Sequence, residues 1–311
     1  MADLTSTTST NSEMLKQYWN KKFLTTFEDS FVMKSIAQVG RMPKGEGTVV
    51  HWLRINNLPT VSAALTEGTD PDSVTGDTDE ISASLTEQGG SVKLSSKYLD
   101  TAIGGTLEET IRRLAYQAAE RIDNVIGTVA YADNAATEQF VGGAVDESSI
   151  PQSSSSRLTV DEIRKAVRTL ESFYTPRWGD GFYRGVLQAA TKYDIQGDST
   201  WQDFVKYRDT RKLDIKGEVG EIFGVRFIQT QNVPTHDNSG SASADLYGVL
   251  ICGPDYIGIS EMHNTQVIIK NPHPASDLNM YSTIGWKAGF ATKVLSQSGA
   301  VQVYVAASVN D

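Results

Sequence analysis

The chain has a single cysteine, Cys252, among its 311 residues, so no disulfide can close within it and a secreted, disulfide-stapled fold is excluded. No apolar run approaches the roughly 18 residues that a membrane helix needs. Nowhere do five or more Lys and Arg cluster, and there is no basic tail. With 28 Lys plus Arg against 38 Asp plus Glu, the formal net charge is −10. A protein that grips nucleic acid by neutralising phosphates is basic somewhere along its length. This one is not, so if it encloses DNA it does so as a wall and not as a glue. The opening MADLTSTTSTNSEMLKQYW lacks the basic and apolar regions of a secretory signal, so a cytoplasmic origin is expected.

Chemistry-bearing motifs are missing as well. There is no GxSxG, no phosphate-binding lysine loop, and no GxGxxG opening a helix. The glycines of Gly217 to Gly224 lead into a strand, not out of one. The four histidines, His51, His236, His263 and His273, have neither HExxH nor HxxxH spacing, and one cysteine cannot build a thiolate metal site. Asp70, Asp72, Asp77 and Asp79 do not fall on a calcium-loop register. No cofactor, metal or catalytic residue is expected. Cys252, after Leu250-Ile251, reads as a small core hydrophobe at a buried strand end.

What is present is a sequence of distinct structural patterns. A Thr/Ser/Asn-rich stretch of twelve residues, read as a tail held by a neighbouring subunit, precedes an amphipathic run with Met14, Leu15, Tyr18, Trp19 and Phe23 inward. Thr48 to Ile55 is β-branched and aromatic and predicts a strand, and alternation returns at 81–85 and 91–94. Between them, Leu65 to Glu80 carries six acids and no base. Strand, polar tip and strand predict an extended β-hairpin arm, too polar for a core.

Thr106-Leu107-Glu108-Glu109 reads as a capping box opening a long helix to about Ala132, with Leu107, Ile111, Leu114, Ala118, Ile122, Val125 and Val129 on one stripe. Glu108–Arg112 and Glu109–Arg113 are spaced as helical ion pairs. After a Gly/Ser-rich boundary at 141–157, a second capping box, Thr159 to Glu162, opens a helix with Val160, Ile163, Val167 and Leu170 inward. Strands are predicted at 185–190, 225–228 and 247–252 around a short helix at 201–207. A closing β segment has strands at 285–290 and 301–305, with a turn at Ser298-Gly299.

This order of elements, and the stretches Leu65-Thr66-Glu67-Gly68, Leu158 to Arg168, Trp201-Gln202-Asp203, Gly217 to Phe227 and Gly285-Trp286-Lys287-Ala288, resemble tailed-phage major capsid proteins of the HK97 fold, the phage-N4-like family in particular. The resemblance runs from about residue 12 to the C-terminus. It implies an α+β HK97-like capsid fold: an N-arm (1–45), an extended hairpin or E-loop (46–97), a P-domain spine helix (98–149), a mixed α/β A-domain (150–275) and P-domain C-terminal strands (276–311). It further implies a non-enzymatic shell subunit that assembles with itself into hexamers and pentamers in the host cytoplasm. Such a shell encloses double-stranded DNA without sequence-specific binding or membrane contact, and works with portal and scaffolding proteins and a possible cement protein.

The E-loop has no lysine between Arg54 and Lys93, so a lysine-based crosslink of the kind found in one branch of the fold is not expected. No long helical segment precedes the N-arm, so scaffolding is expected from a separate protein. The acids Glu67, Asp70, Asp72, Asp77 and Asp79 are candidates to meet a neighbour's Arg112, Arg113 and Arg121. Alternatives are an encapsulin-like compartment, a tail or decoration protein, and an α/β enzyme with a site at Asp194, Asp203 and His236.

Overall fold

The computed structural model describes residues 32–43, 45, 47–55, 58, 73, 75–101, 106–132, 135–207, 218–270 and 278–308. The described residues start with a 3₁₀ turn, Met33–Ile36, and continue as β1 (Ala37–Arg41), β2 (Val49–Ile55), β3 (Thr78–Ser84) and β4 (Thr86–Ser95). Helices α1 (Ser96–Thr101) and α2 (Thr106–Ala130) come next, then β5 (Thr137–Phe140) and α3 (Val160–Ser172). Beyond them lie β6 (Tyr183–Leu187), α4 (Ala189–Gly197), α5 (Ser199–Tyr207), β7 (Glu218–Ile222), β8 (Val225–Gln229) and β9 (Thr235–His236). The chain closes with β10 (Leu246–Cys252), β11 (Ile257–Lys270), β12 (Tyr281–Val294) and β13 (Ala300–Ala306).

Two large sheets and two cores organise most of these elements, and β2 and β3 form a third, two-stranded sheet. A four-stranded sheet, ordered β1-β11-β12-β4, carries α2 on one face. Its core joins Ile111, Leu114, Ala118 and Ile122 of the helix to Ile284, Trp286, Ala288 and Phe290 of β12. Beyond Ile122 the buried hydrophobic positions are Ile126 and Ala130, while Val125 and Val129 are only partly buried. Steps of four keep the stripe on the sheet here, and the alanines at 115, 118 and 119 let the helix sit close. A second sheet runs β5-β13-β10-β6-β8-β7, with β9 against β10. Its core includes Ile163, Val167 and Leu170 of α3, Val249 and Ile251 of β10, and Val301, Val303 and Val305 of β13.

The closing segment expected at 276–311 is divided between the sheets. β12 lies in the first, whereas β13 pairs with β10 over seven residues in the second. Every residue of β13 is buried, so both its faces are covered, which fits the interior of a sheet. β11, from the segment expected to form the A-domain, sits in the first sheet instead, between β1 and β12.

Local signals were satisfied in part by other partners. The Glu109 carboxylate is shared by Arg112 and Arg113, with Arg112 at i+3 taking the place expected for a Glu108 pair. At α3, Thr159 Oγ1 accepts from the Glu162 backbone N–H at 3.4 Å, as a cap should. The Glu162 carboxylate turns away to Gln139 and Lys165. The expected inward residues Val160, Ile163, Val167 and Leu170 are all buried. Cys252 is fully buried, and burial pushes its thiol up to about 12, which suits a core residue and not a nucleophile.

The 3₁₀ turn is fastened from three sides. Met33 and Ile36 are fully buried in the α2 core. At its start the Val32 N–H donates to Asp123 Oδ2 of α2 at 3.0 Å. Near its end the Ser35 carbonyl accepts from Arg184 of β6, and Lys34 pairs with Glu261 of β11 at 2.5 Å. Asp123 is only 1% exposed, and among the described residues its Oδ1 has no hydrogen-bond partner. Burial pushes this carboxyl up to about 6, against the opposing pull of the N–H groups of Val32, Met33 and Lys34.

Because that value lies above the ordinary 3.8, the native chain binds the proton more tightly than the unfolded chain. The group's contribution to stability is therefore greatest below about pH 4 and declines as pH rises towards 6. By pH 7 the burden reaches about 3 kcal/mol. Asp123→Asn is expected to flatten this component. Urea midpoints from pH 4 to 7.5 should show the variant gaining on the parent as pH rises, and a constant difference contradicts the assignment.

Candidate assembly surfaces

β2 and β3 form a two-stranded ribbon in full register, from Val49↔Ser84 to Ile55↔Thr78, and among the described residues no third strand joins it. The period of two sorts its side chains. Val50, Trp52, Ile81 and Ala83 share one face and are half-buried. Val49, His51, Leu53 and Ile55 share the other, where Leu53 is 69% and Ile55 75% exposed. His51 pairs with Glu80 on this face. At its open end the ribbon borders a groove of about 500 Å³ with Phe173, Tyr174 and Leu295. Tyr174 is itself 89% exposed. A two-stranded ribbon is at best marginally stable alone, and this one leaves its apolar row bare.

Of the acidic candidates, Asp77 and Asp79 are exposed on the described part of the hairpin, with Asp79 opposite Arg54. Glu67, Asp70 and Asp72, like the first 31 residues and the tail expected there, lie outside the described residues. Arg112, Arg113 and Arg121 are all exposed along α2. Arg112 and Arg113 converge on Glu109, and their hydrogen bonds hold its carboxyl down to about 2. Arg121 donates to Gln88 of β4 at 3.0 Å. Two of the three arginines, Arg112 and Arg113, are thus already occupied by a carboxylate of their own helix.

The three residues of the enzyme alternative have separate settings. Asp194 accepts from the Ser308 backbone N–H at 3.1 Å and from its hydroxyl. His236 packs edge-on to Tyr304, with Glu147 3.6 Å away. Asp203 is exposed on α5. Among the described residues no three His, Cys, Asp or Glu side chains stand together to hold a metal ion. No described helix is long and apolar enough to cross a membrane.

Sequence reasoning found the hairpin but missed the apolar row at Leu53 and Ile55. The alternation was legible. Which face would stay uncovered depends on the α2 sheet and the 173–176 loop, and the local pattern does not specify that.

No family model and no curated protein matches the sequence. Solved structures do match it in shape. The capsid of Ralstonia phage GP4 superposes with a TM-score of 0.68 at 14% identity, over 90% of this chain and 90% of that chain. The capsid structure of cyanophage P-SCSP1u gives 0.66 at 11% identity, covering 89% of each chain. The acid-stable capsid structure of Helicobacter pylori bacteriophage KHP30 gives 0.62 at 11% identity, over 86% of this chain and 87% of that chain. Such low identities establish likeness of fold. With its hairpin arm, long helix on a four-stranded sheet and second, mixed sheet, the chain has the HK97-like fold and shares it with these phage capsids.

Proposed function

We propose that this chain is the major capsid protein of a tailed phage, a non-enzymatic subunit that assembles with itself into an icosahedral shell around double-stranded DNA. The observation that carries this reading is the hairpin arm. Within a capsid fold, a two-stranded ribbon exposes Leu53 and Ile55, an apolar row suited to cover from another subunit. Each such arm multiplies contacts between subunits, whose principal interfaces would be of the ordinary ~1,600 Å² class.

The excess of 38 acids over 28 bases supports a wall that packaged DNA does not stick to. Hexamers and pentamers of the chain, a portal, a separate scaffolding protein, a cement protein and assembly in the host cytoplasm belong to the same reading. So do the N-arm, E-loop, P-domain and A-domain boundaries and the affinity to phage-N4-like capsid proteins, which rests on the collinear stretches quoted above. Sedimentation velocity of the purified chain tests it. The shell reading expects megadalton particles at equilibrium with free capsomers, whereas a monomer or small oligomer under all salt conditions contradicts it.

A further inference from the structure

The turn at Met33–Ile36 sits where the two large sheets meet, and three elements hold its main chain and its lysine. From α2, Asp123 Oδ2 accepts the Val32 N–H at 3.0 Å, with the N–H groups of Met33 and Lys34 also drawing on the carboxyl. This is the task of an N-cap, carried out from another element, since Val32 gives the turn no side-chain cap of its own. From β11, Glu261 takes Lys34 Nζ at 2.5 Å. From β6, Arg184 donates to the Ser35 carbonyl, its guanidinium 4.2 Å above the Trp178 ring. β11 lies in the four-stranded sheet that carries α2, and β6 lies in the second sheet. The turn therefore ties the two together.

Apolar packing crosses the same junction, because Val186 of β6 and Leu250 and Cys252 of β10 belong to the core built on α2. Such contacts keep two bodies together without fixing their angle, having no preferred direction. The hydrogen bonds to the turn do have one.

Asp123 is the odd member of this joint. It is 1% exposed, and its Oδ1 meets no hydrogen-bond partner among the described residues. The charged groups around the turn are engaged with one another: Lys34 with Glu261, and Arg184 with the Ser35 carbonyl, near Asp180 and Arg226. His263 of β11 lies against Gly289 of β12. On the helix itself Glu120 and Arg121 are exposed, as are Glu87 and Lys93 of β4 and Lys287 and Lys293 of β12. The face of β12 towards α2 is Ile284, Trp286, Ala288 and Phe290. Ionising Asp123 thus places a poorly compensated charge inside the closed joint, whereas lifting the turn lets water reach it.

We propose that Asp123 is a proton-set latch of this joint: protonated, it holds the turn closed and the two sheets at one angle; ionised, it lets the turn lift from α2 and the sheets swing on their apolar contact. The direction follows from the carboxyl, which burial moves up from 3.8 to about 6. The closed turn binds the proton more tightly than the open one, so closure is firmest below about pH 4 and weakens as pH rises through about 6. On those values the ratio of open to closed turns rises roughly twentyfold between pH 4.5 and 7. Openings of this kind occur well short of global unfolding.

Native-state hydrogen exchange of the purified full chain reads the opening. After correction for intrinsic rates, amides of 32–36 should lose protection roughly twentyfold from pH 4.5 to 7. At pH 7 they should stand well below the fully buried strand β13 and be insensitive to low urea, as a local event requires. Asp123→Asn should flatten the pH dependence. Spin labels at Glu120→Cys on α2 and Arg168→Cys on α3, both exposed sites, should give a narrow distance distribution at pH 4.5 and a broader one at pH 7. Cys252 is fully buried and should take no label.

Turn amides that exchange only together with β13 would mean global unfolding, and a pH dependence retained by Asp123→Asn would place the proton elsewhere; either overturns the proposal. So does a label distribution of the same width at both pH values. The profile of the unaltered chain decides without any variant, so a misfolded Asp123→Asn subunit does not shelter the proposal.

Discussion

Replacing Leu53 and Ile55 together with glutamate is expected to abolish closed shells while leaving the subunit folded. Both side chains are more than two-thirds exposed and belong to neither core, so the isolated chain loses little by the change. In an assembly that covers them, each buried Leu or Ile contributes roughly 1.5–3 kcal/mol. Removing two weakens every arm contact by roughly a hundred- to ten-thousand-fold. Desolvating the two new carboxylates adds to the penalty. Circular dichroism and urea unfolding should match the parent, and sedimentation should show only small species. A variant that still forms shells would mean the row faces solvent in the particle.

The largest expected effect on stability comes from Gly185→Val. In the parallel pair of β6 with β8, Gly185 stands opposite Phe227. A Cβ at Gly185 would lie 2.5 Å from the Phe227 ring and 3.0 Å from a Val225 methyl. Phe227 is fully buried, and Trp201 packs against its ring edge with centroids 6.2 Å apart, so it cannot swing aside cheaply. Overpacking of this kind costs typically 1–3 kcal/mol, and two branched methyls at such distances place valine at or above the top of that range. The subunit should become largely insoluble on expression. Adding Phe227→Ala should recover part of the loss by opening the space, and a urea midpoint equal to the parent's in the single variant would contradict the packing argument.

Much of the fold was legible because it obeys simple periods. The stripes of α2 and α3 and the apolar runs of β10 and β13, the latter broken by Gln302, reflect elements whose buried faces are continuous. β11 was hidden for the opposite reason. Its middle, Ser260 to Gln266, is polar, and its pairing with β12 shifts register twice, between Glu261 and His263 and between His263 and Gln266. Bulges of this kind break the period of two on which strand reading depends.

β7 was masked by its turn, where Phe223 and Gly224 both take positive φ, 47° and 80°. An aromatic residue there gives no turn signal of the Asn-Gly kind. The affiliation of β13 with the second sheet was equally out of reach, since a strand buried on both faces fits either sheet and long-range pairing decides.

The candidate assembly surfaces follow the same division. A hairpin with an acid-rich tip is a local property and is plain in the sequence between Thr48 and Leu94. The grouping of exposed lysines on the face of the four-stranded sheet away from α2 is not, because Lys93, Lys270 and Lys287 come from three strands and meet only through the register of β4, β12 and β11. The arginines of α2, attractive as a linear pattern, have Glu109 among them in space.

Electron microscopy with three-dimensional reconstruction of the purified, assembled chain tests the central claim most directly. The account predicts closed icosahedral shells of hexamers and pentamers, with the Leu53–Ile55 row of every arm covered by a neighbouring subunit. Discrete small oligomers, open rings, or shells whose arms leave that row in solvent would contradict it.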